Sequence, residues 1–157
     1  VYDKIEICSW IENQVVSLGA GVQSAGLIFE SEINLTKGTY APIDSHGIRR
    51  VLSNLVSNAC KFSFAESIVR LEVKQVEKDI RFCVEDQGEG IAEEHLNDVF
   101  TRSHRGSQSD LTEGSGLGLA IAKEIVERHG GRIGVENEWA READSTSHCL
   151  LVDHRSR

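Results

Sequence analysis

Nothing in this 157-residue chain is apolar for long enough to cross a bilayer, where a helical span needs roughly 20 such residues. No charged-then-apolar leader opens it, so no segment reads as a signal peptide. Basic charge is also scarce. Lys and Arg number 17 against 25 Asp and Glu, and the net charge of -8 argues against a nucleic-acid partner, because phosphate backbones select basic surfaces. The four cysteines (Cys8, Cys60, Cys83 and Cys149) are scattered, with no close pair to chelate zinc or shuttle electrons. They read as buried free thiols in a reducing compartment. The domain is expected in the cytoplasm without membrane contact of its own, whether or not the parent protein is anchored in a membrane. There is one proline, no repeat and no low-complexity tract. The chain starts at Val1 with neither an initiator Met nor a cap, and is expected to be cut from a longer protein.

What is present is ordinary for a globular protein: 39% apolar residues, 27% charged, and a length that fits one domain spanning 1–157. Ile7, Ile11, Val15 and Leu18 recur at helical spacing, predicting a first helix over 2–18 that Gly19, Gly21 and Gly26 break. Residues 27–35 read as a strand, and a Lys37-Gly38 turn leads to a short extended piece ending at Pro42. A central helix is predicted over 48–64, with Asp44 or Ser45 as its N-cap. Ile68 to Val76 and the alternating Ile80, Phe82 and Val84 form an antiparallel hairpin around a 77–79 turn. A short helix over 93–100 and a polar stretch over 101–114 follow. A helix then runs to His129 and ends at Gly130-Gly131; strands are expected at Ile133–Val135 and at 149–152. This order implies an α/β (α+β) two-layer sandwich, one mixed, mostly antiparallel sheet covered on one face by helices.

Three stretches carry chemistry. In IRRVLSNLVSNACKFSF (48–64), Ile48, Val51, Leu52, Leu55, Ala59 and Phe62 make an apolar stripe. At roughly 100° per residue, Asn54, Asn58 and Lys61 fall together within about 60° on a neighbouring face. DQGEG (86–90) ends an apolar strand; its carboxylate accepts hydrogen bonds and its glycines admit a ligand close to the backbone, although the same residues also make plain turns. GSGLG (114–118) opens a helix, where successive backbone N–H groups and the helix dipole favour an anion. It has neither the glycine spacing of the dinucleotide fingerprint nor the Lys-Ser/Thr of the Walker loop. Arg102, His104 and Arg105 put local positive charge into the polar stretch before it, which fits a lid over phosphates or a solvated loop.

Together, in order and spacing, NLVSNACKFS, DQGEG and GSGLGLAIAKEIVERHGG resemble the N-box and the two glycine boxes of the ATP-binding domain of histidine kinases. That family lies in the wider superfamily of gyrase, heat-shock chaperone and mismatch-repair ATPases. The resemblance implies a Bergerat-type sandwich that binds ATP with Mg²⁺. It gives Asn58 the metal through its carboxamide oxygen, with Asn54 assisting, Lys61 the phosphates, and Phe62 a place against the adenine. Asp86 would accept from the adenine amino group in a pocket shaped by Gly88 and Gly90. Gly114, Gly116, Leu117 and Gly118 would wrap the triphosphate, with Arg105 reaching it from the lid.

Position 54 separates subclasses. The hydrolysing relatives carry a Glu there as general base; an amide cannot take a proton from water near neutral pH. The resemblance therefore implies a kinase that holds ATP for transfer to a His on a separate dimerisation and phosphoacceptor domain, with a response regulator downstream. A related serine kinase and a non-catalytic nucleotide-sensing module are the alternatives. Three departures from the family stand out. Phe100 fits the first lid Phe, but Ser103 occupies the place of the second; DSTSHCLLVDH keeps only fragments of the usual last strand; and none of the six histidines is followed by Asp or Glu. No acceptor segment is present, and each histidine reads as a surface residue.

Overall fold

The computed structural model describes residues 3–76, 79–86, 118–137 and 146–153. In chain order these form β1 (Asp3–Glu6), α1 (Ile7–Ser24), β2 (Ile28–Asn34), β3 (Tyr40–Ile43), α2 (Ser45–Phe62), β4 (Ile68–Val76), β5 (Asp79–Asp86), α3 (Gly118–Arg128), β6 (Arg132–Asn137) and β7 (Thr146–Asp153). The five-stranded sheet has the order β2-β4-β5-β7-β6. Its β2–β4 pair is parallel and the other three pairs are antiparallel, as expected of a mixed sheet. The expected single sheet needs one correction, because β1 and β3 pair antiparallel in a separate two-stranded sheet.

The alternation along β4 and β5 decides where the core lies. Val69, Leu71 and Val73 of β4 and Ile80, Phe82 and Val84 of β5 are all buried on one face. On α2 the buried residues are Ile48, Val51, Leu52, Leu55, Val56 and Ala59, the expected stripe widened by Val56. Ala122 and Val126 of α3 join the same cluster, as do Ile7, Ile11 and Val22 of α1. On β2 and β4 the opposite face carries an Arg70–Glu32 ion pair and Lys74 at 3.8 Å from Glu72. Helices thus cover one face, and the sandwich has two layers.

The first helix differs from its expected bounds at both ends. It starts at Ile7 because Glu6 caps it: the carboxylate accepts from the Ser9 N–H at 2.6 Å and from the Gly38 N–H at 2.9 Å. Those two amides hold the Glu6 carboxyl below the usual glutamate range. The helix also runs through Gly19 and Gly21. A Cβ at position 19 would lie 3.1 Å from the Phe29 ring, so that glycine serves helix-to-strand packing and does not break the helix. Asp44 is the N-cap of α2, its carboxylate accepting from the Gly47 N–H at 3.2 Å. Helix α3 ends as expected. Gly130 takes φ +76°, its N–H donates to the Glu127 carbonyl, and the Gly131 N–H donates to the Val126 carbonyl, the paired bonds of a Schellman cap.

Cys8 and Cys60 are free thiols, but Cys83 is disulfide-bonded, which overturns the reading of four free thiols. Cys83 is buried on β5, and the residue directly across from it on β7 is Cys149. Sheet register creates that juxtaposition, and sequence spacing gives no sign of it.

Candidate functional site

Helix α2 carries Asn54, Asn58 and Lys61. Both asparagines are half-buried and Lys61 is exposed, as expected for a face beside the buried stripe. Phe62 is the last residue of this helix, and its side chain lies outside the described residues. The helix stops there and Ser63 enters extended backbone.

Asp86 is the last residue of β5, on the same side of the strand as Ile80, Phe82 and Val84. Only 4% of its surface is exposed, which is unusual for a carboxylate. It lies close enough to the last turn of α2 for its charge to act on Cys60. That thiol is pushed up from its ordinary value first by burial and then by the negative charge of Asp86. The strand end and the helix end are therefore neighbours, as the first two motifs require. Gly118 begins α3, which packs along α2. The remaining expected site residues, Gly88, Gly90, Arg105, Gly114, Gly116 and Leu117, lie outside the described residues, together with the 93–100 helix, Phe100 and Ser103.

This arrangement suits a nucleotide chemically. A buried carboxylate at a strand end accepts hydrogen bonds from an exocyclic amine, and the carboxamides one helix away are hard oxygen donors of the kind that hold Mg²⁺ beside phosphates. Among the described residues, no three His, Cys, Asp or Glu side chains are grouped to hold a metal ion without such help. Among those same residues, no helix is long and apolar enough to cross a membrane.

Contrary to the expectation for all six histidines, His129 is not a surface residue; it is only 9% exposed. Its Nε2 accepts from the Asp44 backbone N–H at 3.0 Å, and its Nδ1 lies 2.8 Å from the Ile125 carbonyl oxygen. The helical pattern ending in Gly-Gly located the end of α3, but nothing local pointed to a partner 85 positions away.

The comparisons with known proteins agree with this geometry. Residues 43–152 match the family described as histidine kinase-, DNA gyrase B-, and HSP90-like ATPase. The sensor protein KdpD of Clostridium acetobutylicum is 44% identical over 98 residues, 61% of this chain and 11% of that protein. The mycobacterial sensor histidine kinase MprB superposes with a TM-score of 0.80 at 26% identity, covering 99% of this chain and 100% of that structure. Full-length ShkA in complex with AMPPNP also superposes with a TM-score of 0.80, at 22% identity, covering 99% of this chain and 32% of that one; this shows the fold alone. The chain thus spans about a tenth of the length of the curated relative it matches. It belongs to the histidine kinase-, gyrase B- and HSP90-like ATPase family, with the catalytic ATP-binding domains of sensor histidine kinases.

Proposed function

We propose that this chain binds ATP with Mg²⁺ beside α2 and donates the γ-phosphoryl group to a His on a separate phosphoacceptor domain, of the same or a partner chain. A response regulator then receives the phosphoryl group, and the domain works on the cytoplasmic side of the cell. The observation that carries the reading is the meeting of the buried Asp86 with the end of α2, on a helix that has Asn rather than Glu at position 54.

Asp86 orients the base by accepting from the adenine amino group, in a pocket completed by Gly88, Gly90 and Phe62. Guanine presents an acceptor at that position and is disfavoured. Asn58, with Asn54, would hold the metal, which when bound supplies charge neutralisation across the phosphate oxygens. Lys61 adds a point charge to the triphosphate, and by the family resemblance Gly114, Gly116, Leu117 and Gly118 would supply backbone N–H groups and Arg105 a further positive charge. No carboxylate stands at position 54 to deprotonate water, so transfer to a positioned imidazole outpaces hydrolysis.

The test is incubation with γ-labelled ATP, with and without a helical phosphoacceptor domain. The expected result is acid-labile label on the added domain and none on this chain alone. Acid-stable label would instead identify a serine kinase, and strong phosphohistidine on the isolated chain would overturn the reading.

A further inference from the structure

We infer that His129 is a positioning residue for the phosphate half of the nucleotide site, acting as a clasp between α3 and α2. The inference rests on the nucleotide-site reading above. His129 directly follows the last residue of α3, yet it is buried, and both ring nitrogens are used. Nδ1 at 2.8 Å from the Ile125 carbonyl, its partner one turn back, carries the proton and donates. Nε2 is then the acceptor for the Asp44 amide at 3.0 Å. Asp44 is the N-cap of α2, so one imidazole joins the C-terminal end of α3 to the N-terminal end of α2.

The same joint is closely packed. A Cβ at Gly47, in the first turn of α2, would lie 2.9 Å from Asp44 Oδ2 and 3.1 Å from Ile125 Cγ2. The two helices therefore touch almost backbone to side chain at the end the clasp closes. They run in opposite senses from there, so the residues that handle phosphate lie at their far ends. At about 1.5 Å per residue, Asn58 is about 16 Å along α2 from Gly47, and Gly118 about 10 Å along α3 from Ile125. A tilt of about 5° at the joint would move the Asn58 end by more than 1 Å, enough to spoil a site that depends on positioning. Asp86 sits on β5, so the polar contact to adenine is held by the sheet; of the proposed adenine contacts, only Phe62 at the end of α2 would move with the helix.

That separation supplies a readout which loss of stability would not mimic. Titrating the 157-residue chain with Mg-ATP and, separately, with adenosine measures the two halves of the site. His129→Leu is expected to weaken Mg-ATP by about tenfold or more (about 1.4 kcal/mol), while adenosine, which keeps its Asp86 contact on the sheet, weakens by no more than about threefold. His129→Gln, which keeps an acceptor near the position of Nε2, recovers most of the Mg-ATP affinity. Should His129→Leu fail to fold, Gly47→Ala opens the same joint with His129 intact and with a gain in helix propensity; it too should weaken Mg-ATP selectively. Parallel loss of both ligands in these variants, or unchanged Mg-ATP binding, overturns the clasp. If the unaltered chain binds neither ligand, the nucleotide reading falls first and the clasp falls with it.

Discussion

The Cys60 thiol, on the last turn of α2, lies within the field of the Asp86 carboxylate at the end of β5. This charge effect between two motifs far apart in sequence makes Cys60 a chemical reporter of the proposed adenine pocket. Burial and the Asp86 charge both raise the Cys60 pKa, so its thiolate is scarce at neutral pH. Asp86→Asn removes one of the two causes. Cys60 should then react faster with iodoacetamide at pH 7, while adenosine binding is lost. Cys8 is also raised, first by its burial and then by Glu6, and serves as the slow internal control in the same mass-spectrometric time course. An unchanged Cys60 rate would mean that Asp86 is not near it in solution.

Asn58→Ala should abolish Mg-dependent ATP binding and leave the fold intact. The position is half-buried on the open face of α2, beside the stripe and not in it. Alanine is a good helix former, so circular dichroism and melting temperature should stay close to those of the parent. Calorimetric titration with and without Mg²⁺ is the measurement; binding that survives the change removes the central assignment of the site.

Much of this architecture could be read from the residues. The β4–β5 hairpin emerged within a residue because Val69, Leu71 and Val73, then Ile80, Phe82 and Val84, recur at every second position, and α2 emerged because its apolar stripe has the helical period. What could not be read depends on partners distant in sequence. β1 and β3 have four residues each, too short to show a period, and each exists by pairing with the other. Gly19 reads as a helix breaker until the Phe29 ring is seen against it. His129, followed by Gly, looked like a poor phosphoacceptor and therefore a surface residue. Its real surroundings, the Asp44 amide and the Ile125 carbonyl, come from the packing of α3 on α2.

Among the described residues, Phe82 is the largest fully buried side chain, and it sits in the middle of β5. Phe82→Ala should cost about 3–5 kcal/mol through lost burial and the cavity it leaves. Urea unfolding would show this as a lower midpoint with an unchanged slope. A loss below about 1 kcal/mol would place Phe82 outside the core.

Glu6 gives the fold a pH dependence of known sign. The Ser9 amide, then the Gly38 amide, hold its carboxyl below the usual glutamate range, so the folded form prefers the ionised group. The stabilisation is complete above the pKa of the unfolded chain and disappears as pH falls through the lower folded value. Glu6→Gln should therefore melt below the parent at pH 7, and the gap should narrow as the pH drops below about 4. A gap that stays constant across the titration would assign the effect to the lost shape of the cap and not to its charge.

Asn54 offers the most direct test of why this pocket would transfer phosphate instead of spending it on water. The helix places position 54 one turn before Asn58 on the same face, where the hydrolysing members of the superfamily carry the Glu that activates water. Asn54→Glu restores a proton acceptor of the right length, and a positioned general base contributes roughly 10²-fold or more. Release of inorganic phosphate from ATP should rise by at least about tenfold in the variant, allowing for imperfect placement. Asn54→Gln has the same length without basicity and should leave the rate unchanged, which separates proton abstraction from a simple change of shape. Mg-ATP affinity measured alongside shows whether a faster rate reflects chemistry or tighter binding. If Glu and Gln behave alike, position 54 does not face the attacking water, and the proposed preference for transfer over hydrolysis does not rest on this residue.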